Sequence, residues 1–411
     1  MNPETIPLSF SEIGVTSCFI KRLEDRFITK PTDIQCKIVP MLAAGQNVFF
    51  TSATGTGKTF AYLLPILNSL LEQQNEPGVK PYTMIVAPTL ELCTQIKNEL
   101  DFLLTDLKIS SSLLIGSASL ERQIEELRKK KSDIIVGNPN RLLILARKGL
   151  IKLNNLRFLV LDEADRLVSE EMLDDTNELC EIVFYKNKIR PVITACSATI
   201  NSNCREKLLI TCKDNNIPFV ESNDHEILRE KIEHWAIFSE KRRKDQTLRS
   251  LLSALKTNPR TKKTGVKALV FTSRNDEALF VFSRLQHHNV PVSGLFGKVN
   301  KKAISSEDRK AALDSFRDGK VLALVSTDLA ARGLDIPGIT HVIALDVPSD
   351  SEVYIHRCGR TGRAGKRGVM VTIGDETQMR LLAMLEKKLK IVVYPKELHY
   401  GKVCAPVPME G

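Results

Sequence analysis

What the chain lacks narrows the field before anything it contains. No stretch reaches the ~18 consecutive apolar residues that a membrane-spanning helix needs. The opening MNPETIPLSF carries two prolines and an acid where a secretory leader would carry a basic start and an apolar core. Nine cysteines are scattered through 411 residues, odd in number and without a CxxC pair. Cys196, Cys204 and Cys212 stand eight apart, which is not a zinc-ligand spacing. Neither a disulfide framework nor a zinc site is expected, and the expected compartment is the reduced, cytoplasmic interior.

What is present fits a folded chain. Hydrophobic residues make up 43% and charged residues 26%, which excludes wholesale disorder and a fibrous chain. The length suits two globular domains of about 200 residues each. Lys plus Arg exceeds Asp plus Glu by 59 to 49, a net charge of +10. The excess is uneven, since residues 241–320 hold 19 basic and 7 acidic side chains. Such a surface suits a polyanion, although a solvated face has the same composition.

Short β-branched runs alternate with amphipathic stretches of ten to fifteen residues. Strands are expected at 47–50, 83–87, 133–136, 157–161 and 191–195, with helices including 58–71, interrupted at Pro65, and 91–103. The strands read as continuous apolar runs, as a parallel sheet covered on both faces requires. The pattern restarts after 222–232, with strands at 267–272, 321–325, 341–345 and 368–373 and helices at 276–288, 306–317 and 376–390. Two consecutive α/β domains are expected, over 1–221 and 232–390. A linker at 222–231 joins them, and a short extension follows over 391–411.

Strand 47–50 runs into TSATGTGKTFAY, placing Gly55, Gly57, Lys58 and Thr59 where a strand turns into a helix. Glycines let successive N–H groups point inward, and a helix N-terminus adds positive potential for phosphate. Lys58 can reach the β/γ-phosphates and Thr59 can offer its hydroxyl to Mg²⁺. Ser52 stands where the general pattern has its first glycine, so a chance glycine-rich turn is the bland alternative. A second apolar strand ends in Asp162-Glu163-Ala164-Asp165. Asp162 can hold Mg²⁺, Glu163 can polarise a water, and Asp165 can orient its neighbours. Helix capping is the structural alternative, yet a phosphate-loop lysine without a metal-binding acid leaves a triphosphate's charge partly unmet.

In the second half, Arg357, Arg360 and Arg363 recur at helical spacing between glycines in YIHRCGRTGRAG. They suit either a solvated polar helix or the stabilisation of charge on a transferring γ-phosphoryl group. Thr327, Asp328, Arg332, Gly333 and Asp335 follow a buried strand.

Together these residues closely resemble the DEAD-box family of ATP-dependent RNA helicases, within superfamily 2, over nearly the whole chain from Phe10 to about residue 390. The motifs that carry the likeness are Ala53-Thr54-Gly55-Thr56-Gly57-Lys58-Thr59, Asp162-Glu163-Ala164-Asp165, Ser197-Ala198-Thr199, Ser326-Thr327-Asp328 through Asp335, and His356-Arg357 through Gly365. The resemblance implies two tandem RecA-like domains, each a mostly parallel sheet flanked by helices, that bind ATP with Mg²⁺. By the same likeness Phe10 stacks on adenine, Gln35 reads its edge, Asp335 meets the ribose, and Arg360 and Arg363 reach the γ-phosphate. Ser197 and Thr199, with Asp165, Asp328 and His356, are implied to couple nucleotide state to RNA. Pro88, Thr89, Gly116, Arg141, Thr272, Arg274 and Thr327 are implied to hold an RNA backbone, recognising shape and 2′-hydroxyls more than sequence.

Departures from the family pattern fall on the strand-gripping side. Leu90 replaces an arginine, Asn138 a threonine and Asn140 a glycine, whose left-handed conformation asparagine tolerates. Gly116 is followed by Ser117 in place of a second glycine. Phe296 replaces a histidine, and Ser306 stands for a glutamine after a segment some five residues longer than usual, in which Lys298, Lys301 and Lys302 could replace lost phosphate contacts. The expected function is ATP-dependent local unwinding or remodelling of single-stranded or short-duplex RNA by a monomer, without a membrane and with targeting left to a protein partner. An ATP-gated RNA clamp with little unwinding and a DNA-directed superfamily 2 helicase or translocase are the alternatives.

Overall fold

The structure is a computed structural model that describes residues 8–52, 56–72, 82–116, 118–129, 132–151, 153–187, 189–222, 231–257, 265–297, 306–331, 336, 338–362 and 367–406. Ala53, Thr54, Gly55, Asp335 and Arg363 lie outside the described residues. So do Ser117, Lys298, Lys301, Lys302, Arg332, Gly333 and most of the 222–231 segment. The chain forms two compact units that divide between Ser222 and Asn223.

The first unit is built on seven parallel strands, β1 (Val48–Thr51), β2 (Tyr82–Val86), β3 (Ser111–Leu114), β4 (Ile134–Gly137), β5 (Leu156–Asp162), β6 (Val192–Ser197) and β7 (Phe219–Glu221). Their order across the sheet is β3-β4-β2-β5-β6-β1-β7. The second unit repeats that order. Its strands are β8 (Ile232–Phe238), β9 (Ala268–Thr272), β10 (Val292–Leu295), β11 (Ala323–Thr327), β12 (His341–Ala344), β13 (Gly368–Gly374) and β14 (Val393–Pro395), arranged β10-β11-β9-β12-β13-β8-β14 and again all parallel.

Both faces of each sheet are covered, which explains the continuous apolar runs. Phe158 and Val160 of β5 enter one core cluster while Leu159 and Leu161 enter the other. In β9, Leu269 and Phe271 divide from Ala268 and Val270 in the same way. Alternate side chains of a strand point to opposite faces, so only helices on both sides can keep such runs dry.

The nine strands expected from sequence are present within two residues at either end. Within the two seven-stranded sheets five more were not anticipated: β3, β7, β8, β10 and β14. β3, β7, β10 and β14 are the edge strands, where half-buried residues and short length weaken the apolar signal. β8 was hidden because IEHWAIF mixes buried and exposed positions. β14 places part of the supposed C-terminal extension inside the second sheet, and the hairpin of β15 (Glu397–His399) and β16 (Lys402–Cys404) follows it. The helix Lys58–Glu72 runs through Pro65 without the expected interruption. Every residue from Ala61 to Leu70 is buried, and that packing offsets the hydrogen bond the proline cannot make.

Candidate functional site

In a parallel sheet the strand ends at the carboxyl edge gather the loops that bind ligands. Four such ends organise the first unit's site: β1 leading to Thr56 and Lys58, β2 to Pro88, β5 to Asp162 and β6 to Ser197. The Lys58 ammonium donates to the Ser52 carbonyl oxygen at 2.5 Å, and the Ser52 and Thr56 hydroxyls are hydrogen-bonded to one another. The Ser52 N–H donates to the Ser197 carbonyl at 3.1 Å, tying the phosphate loop to the end of β6.

Gly57 has φ +88°, and a Cβ there would lie 2.3 Å from the Gln35 amide nitrogen. Any other residue would be strained at this φ and would displace the Gln35 amide from the loop. Gln35, expected to read adenine, is 1% exposed and fully engaged. Its amide oxygen accepts from the Thr32 N–H at 2.9 Å in a capping box, and its nitrogen donates to the Gly57 carbonyl at 3.0 Å. The structure thus shows Gln35 bracing the phosphate loop. Phe10, expected against the base, is 2% exposed and belongs to the core with Ile13, Val15 and Phe19.

Asp162 is 3% exposed and each of its oxygens is held. Tyr62 donates its hydroxyl to Oδ2 at 2.8 Å, while the Cys196 thiol and the Glu163 N–H donate to Oδ1 at 3.2 and 2.9 Å. Thr59, the other expected metal ligand, lies one helical turn before Tyr62 on the helix Lys58–Glu72. Burial first, and then the charge of Asp162, push both the Tyr62 phenol and the Cys196 thiol well above their ordinary pKa values. Both remain protonated donors. Sequence reading missed Tyr62 and Cys196, although each lies within four residues of a recognised motif.

Glu163 adopts the left-handed conformation (φ 48°, ψ 52°) immediately after β5. That conformation costs a non-glycine residue about 1 kcal/mol and is held where the surroundings over-determine it. Beyond it, Ser197 donates to Asp165 at 2.6 Å, and the Thr199 N–H reaches Ser197 Oγ at 3.5 Å. Asp165, Ser197 and Thr199, expected to couple nucleotide state to RNA, therefore form one hydrogen-bonded chain. The atoms that Asp162 and Thr59 could offer a metal are oxygens, the set a hard cation such as Mg²⁺ prefers. Among the described residues no cluster of three His, Cys, Asp or Glu could hold a metal by itself.

Of the residues expected to hold RNA, Thr89 caps the helix Leu90–Leu103 by accepting from the Leu92 N–H at 3.2 Å, and Pro88 is buried beside it. Gly116 is exposed. Arg141, by contrast, is buried; it donates to Gln123 at 2.8 Å and to the carbonyls of Gly116 and Ala118 at 3.0 and 3.1 Å. It fixes the Gly116 loop from behind.

In the second unit the ends of β9 and β11 bring Thr272, Arg274, Thr327 and Asp328 to one edge of the sheet. Thr272 and Thr327 are buried, whereas Arg274 is exposed and pairs with Asp276 and Glu277. Asn275, unnoticed in the sequence, accepts from the Gly297 N–H at 2.9 Å and from Thr327 Oγ1 at 3.5 Å, joining the exits of three strands.

The arginine run does not form the polar helix its spacing predicts. The helix Ser351–Cys358 ends first, and Arg357 and Arg360 are buried, at 1% and 5% exposure. Arg357 pairs with Asp328 and with Asp346, the latter at 2.9 Å. Burial opposes its charge, but hydrogen bonds and attraction from the two carboxylates more than restore it. His356, Arg360 and Asp328 line a small pocket beside Phe271.

The departures are absorbed by packing. Phe296 is buried, edge-on to Phe282 with ring centroids 5.9 Å apart. Leu90 packs on the first unit's core. Asn138 is the N-cap of the helix Pro139–Arg147, and its side-chain oxygen is buried without a hydrogen-bond partner. Asn140 is not left-handed, as the glycine comparison suggested, because it lies in the first turn of that helix and donates to Asp175 at 3.2 Å. Ser306 begins the helix Ser306–Arg317.

Residues 32–207 match the DEAD/DEAH box helicase family and residues 243–365 match the helicase conserved C-terminal domain. The DEAD-box ATP-dependent RNA helicase CshC of Bacillus cereus is 32% identical over 380 residues, covering 92% of this chain and 90% of that one. The chain belongs to the DEAD-box helicase family. The ATP-dependent rRNA helicase RRP3 of Candida glabrata, another similar protein, is 32% identical over 93% of this chain and 73% of its own. Among solved structures, Mss116p bound to ssRNA and AMP-PNP aligns over 96% of this DEAD-box chain and 81% of its own, with a TM-score of 0.84 at 24% identity. Dbp5 of S. cerevisiae bound to RNA and ADP BeF3 aligns over 94% of this chain and 95% of its own, with a TM-score of 0.78 at 24% identity. These likenesses show the fold, two tandem RecA-like domains. No helix among the described residues is long and apolar enough to cross a membrane.

Proposed function

We propose that this DEAD-box protein is an RNA-dependent ATPase that couples ATP hydrolysis to local, largely sequence-independent unwinding or remodelling of RNA. The observation that carries the reading is the buried Asp162 carboxylate, held by three neutral donors at the sheet edge where the Lys58 loop also emerges. That carboxylate, the Thr59 hydroxyl and the Lys58 ammonium are the groups that a metal-bound triphosphate needs. Thr59 and Asp162 would hold Mg²⁺, which offsets phosphate charge when bound. Lys58, with the Ala53–Thr56 loop and Gly57, holds the phosphates. Glu163 orients the attacking water, and Arg360 and Arg363 stabilise charge on the transferring phosphoryl group.

Phe10 and Gln35 act on nucleotide selection through the loop that Gln35 braces, and Asp335 meets the ribose. Asp165, Ser197 and Thr199 relay nucleotide state within the first unit; Asp328 and His356 do so in the second. Pro88, Thr89, Gly116, Thr272, Arg274 and Thr327 hold the RNA backbone, with Arg141 shaping the Gly116 loop. The protein works as a monomer in the cytoplasm, with a protein partner supplying its target.

ATP turnover measured without nucleic acid, with single-stranded RNA and with matched DNA tests the reading. RNA stimulation supports it, and equal stimulation by DNA would move the protein to the DNA-directed class. Glu163→Gln is expected to keep ATP and RNA binding while turnover falls by at least about a hundredfold. Near-normal turnover in that variant removes Glu163 from its role. The withdrawal of Phe296 and Leu90 into packing favours a second reading, an ATP-gated clamp, which predicts RNA-stimulated turnover without separation of short duplexes.

A further inference from the structure

The second unit carries a groove of about 920 Å³ that the ATPase reading does not use. It lies where the β15–β16 hairpin packs beside the helix Lys244–Thr257, next to the turn at His288–Pro291. The helix turns Leu248, Leu251, Leu252 and Leu255 into the core. Gln246, Arg249, Ser253 and Lys256 recur at intervals of three and four, so they share the face that lines the groove.

Charge in the groove is one-sided. Arg243, Arg249, Lys256 and Lys396 line it, against one acid, Glu397, which is engaged by His399 at 2.7 Å. Arg243 has Glu240 at 3.4 Å. Among the described residues, no carboxylate lies within ion-pair distance of Arg249 or Lys256. Between these cations the lining is aliphatic, from Ile237, Leu252, Val290, Leu322 and Leu398, and Phe238 stands 63% exposed at its margin.

We propose that this groove docks an acidic segment of a partner protein, anchored by an apolar side chain. Carboxylates on the segment would meet Arg249 and Lys256, and the apolar residue would cover the aliphatic floor. A concave, mostly apolar surface with a few convergent cations suits a peptide anchor. A nucleic-acid strand instead calls for several stacking rings along a basic track, and apart from the imidazoles of His288 and His399, Phe238 is the one aromatic ring among the described lining residues. The partner so recruited would supply the targeting that the catalytic core lacks.

Fluorescence anisotropy of a labelled peptide, EEDLFEDE, titrated with the full chain tests this. Binding is expected, and Arg249→Glu with Lys256→Glu should weaken it at least about tenfold. Replacing Leu and Phe of the probe by glycine should weaken it comparably. RNA-stimulated ATP turnover of the double variant should stay at the wild-type level, so failure here is separable from failure of the ATPase reading. The proposal is overturned if the peptide does not bind at millimolar concentration, or binds both proteins equally. It is also overturned if the double variant loses single-stranded RNA by the same factor, which assigns the groove to RNA. Self-association of the wild type that the double variant abolishes would give the groove to a second copy of the chain.

Discussion

Arg357 donates from Nε and from a terminal nitrogen to the two carboxylate oxygens of Asp328, each at 2.7 Å. The fork is held from a second side, where Asp346 accepts through its carboxylate at 2.9 Å and its carbonyl at 3.0 Å. The pair joins the helix Ser351–Cys358 to the end of β11, and Asp346 extends it to the end of β12.

Removing that guanidinium leaves two carboxylates without their buried counter-charge. Arg357→Ala is expected to destabilise the second unit by about 3–5 kcal/mol, the usual loss for one partner of a buried ion pair. Arg357→Lys should recover only part of this, because an ammonium cannot make the bidentate contact. Urea unfolding followed by tryptophan emission reads the effect cleanly, since the single tryptophan, Trp235, lies in β8 of this unit. An unchanged midpoint in Arg357→Ala would show that the triad contributes nothing to stability.

Tyr62→Phe keeps the ring in the core and deletes the hydroxyl that donates to Asp162. Its hydrogen bond to a carboxylate is worth about 1.5–3 kcal/mol. A fall in kcat/KM for ATP of about tenfold or more is expected, with a shift to higher Mg²⁺ in the concentration needed for half-maximal turnover. Circular dichroism should be unchanged. A variant with wild-type Mg²⁺ dependence would show that the Tyr62 hydroxyl has no part in preparing Asp162 for a metal.

His341 is 4% exposed, and burial holds its pKa down to about 4 from an ordinary 6.5. Between those values the unfolded chain takes up a proton that the folded chain refuses. Stability therefore falls as pH drops from about 6.5 to about 4 and levels off below, by about 3 kcal/mol in all. His341→Asn should flatten that part of the pH dependence. Denaturation of both proteins at pH 7, 5.5 and 4 gives the comparison, and parallel slopes would refute it.

Much of this was legible in the sequence because continuous apolar strands and glycine-bearing strand ends follow from local rules. Lys58, Thr59, Asp162 and Glu163 sit at such ends, so their neighbourhood could be named before any coordinates. Tyr62, Cys196, Asn275 and Asp346 could not, because hydrogen-bond partners some 20 to 100 residues away leave no local pattern. The arginine spacing misled for a related reason. Periodicity states which side chains share a face, but the buried acids that draw Arg357 inward lie 11 and 29 residues away.

The matching strand order gives β5 and β12 the same address in their sheets, and a carboxylate follows each, Asp162 and Asp346. At the first address the donors are a phenol, a thiol and a peptide N–H, all electrically neutral, so the anion keeps its full charge. At the second a guanidinium cancels it. A divalent ion would thus be attracted to only one of the two equivalent places, so the scaffold's repetition does not by itself repeat the site's electrostatics.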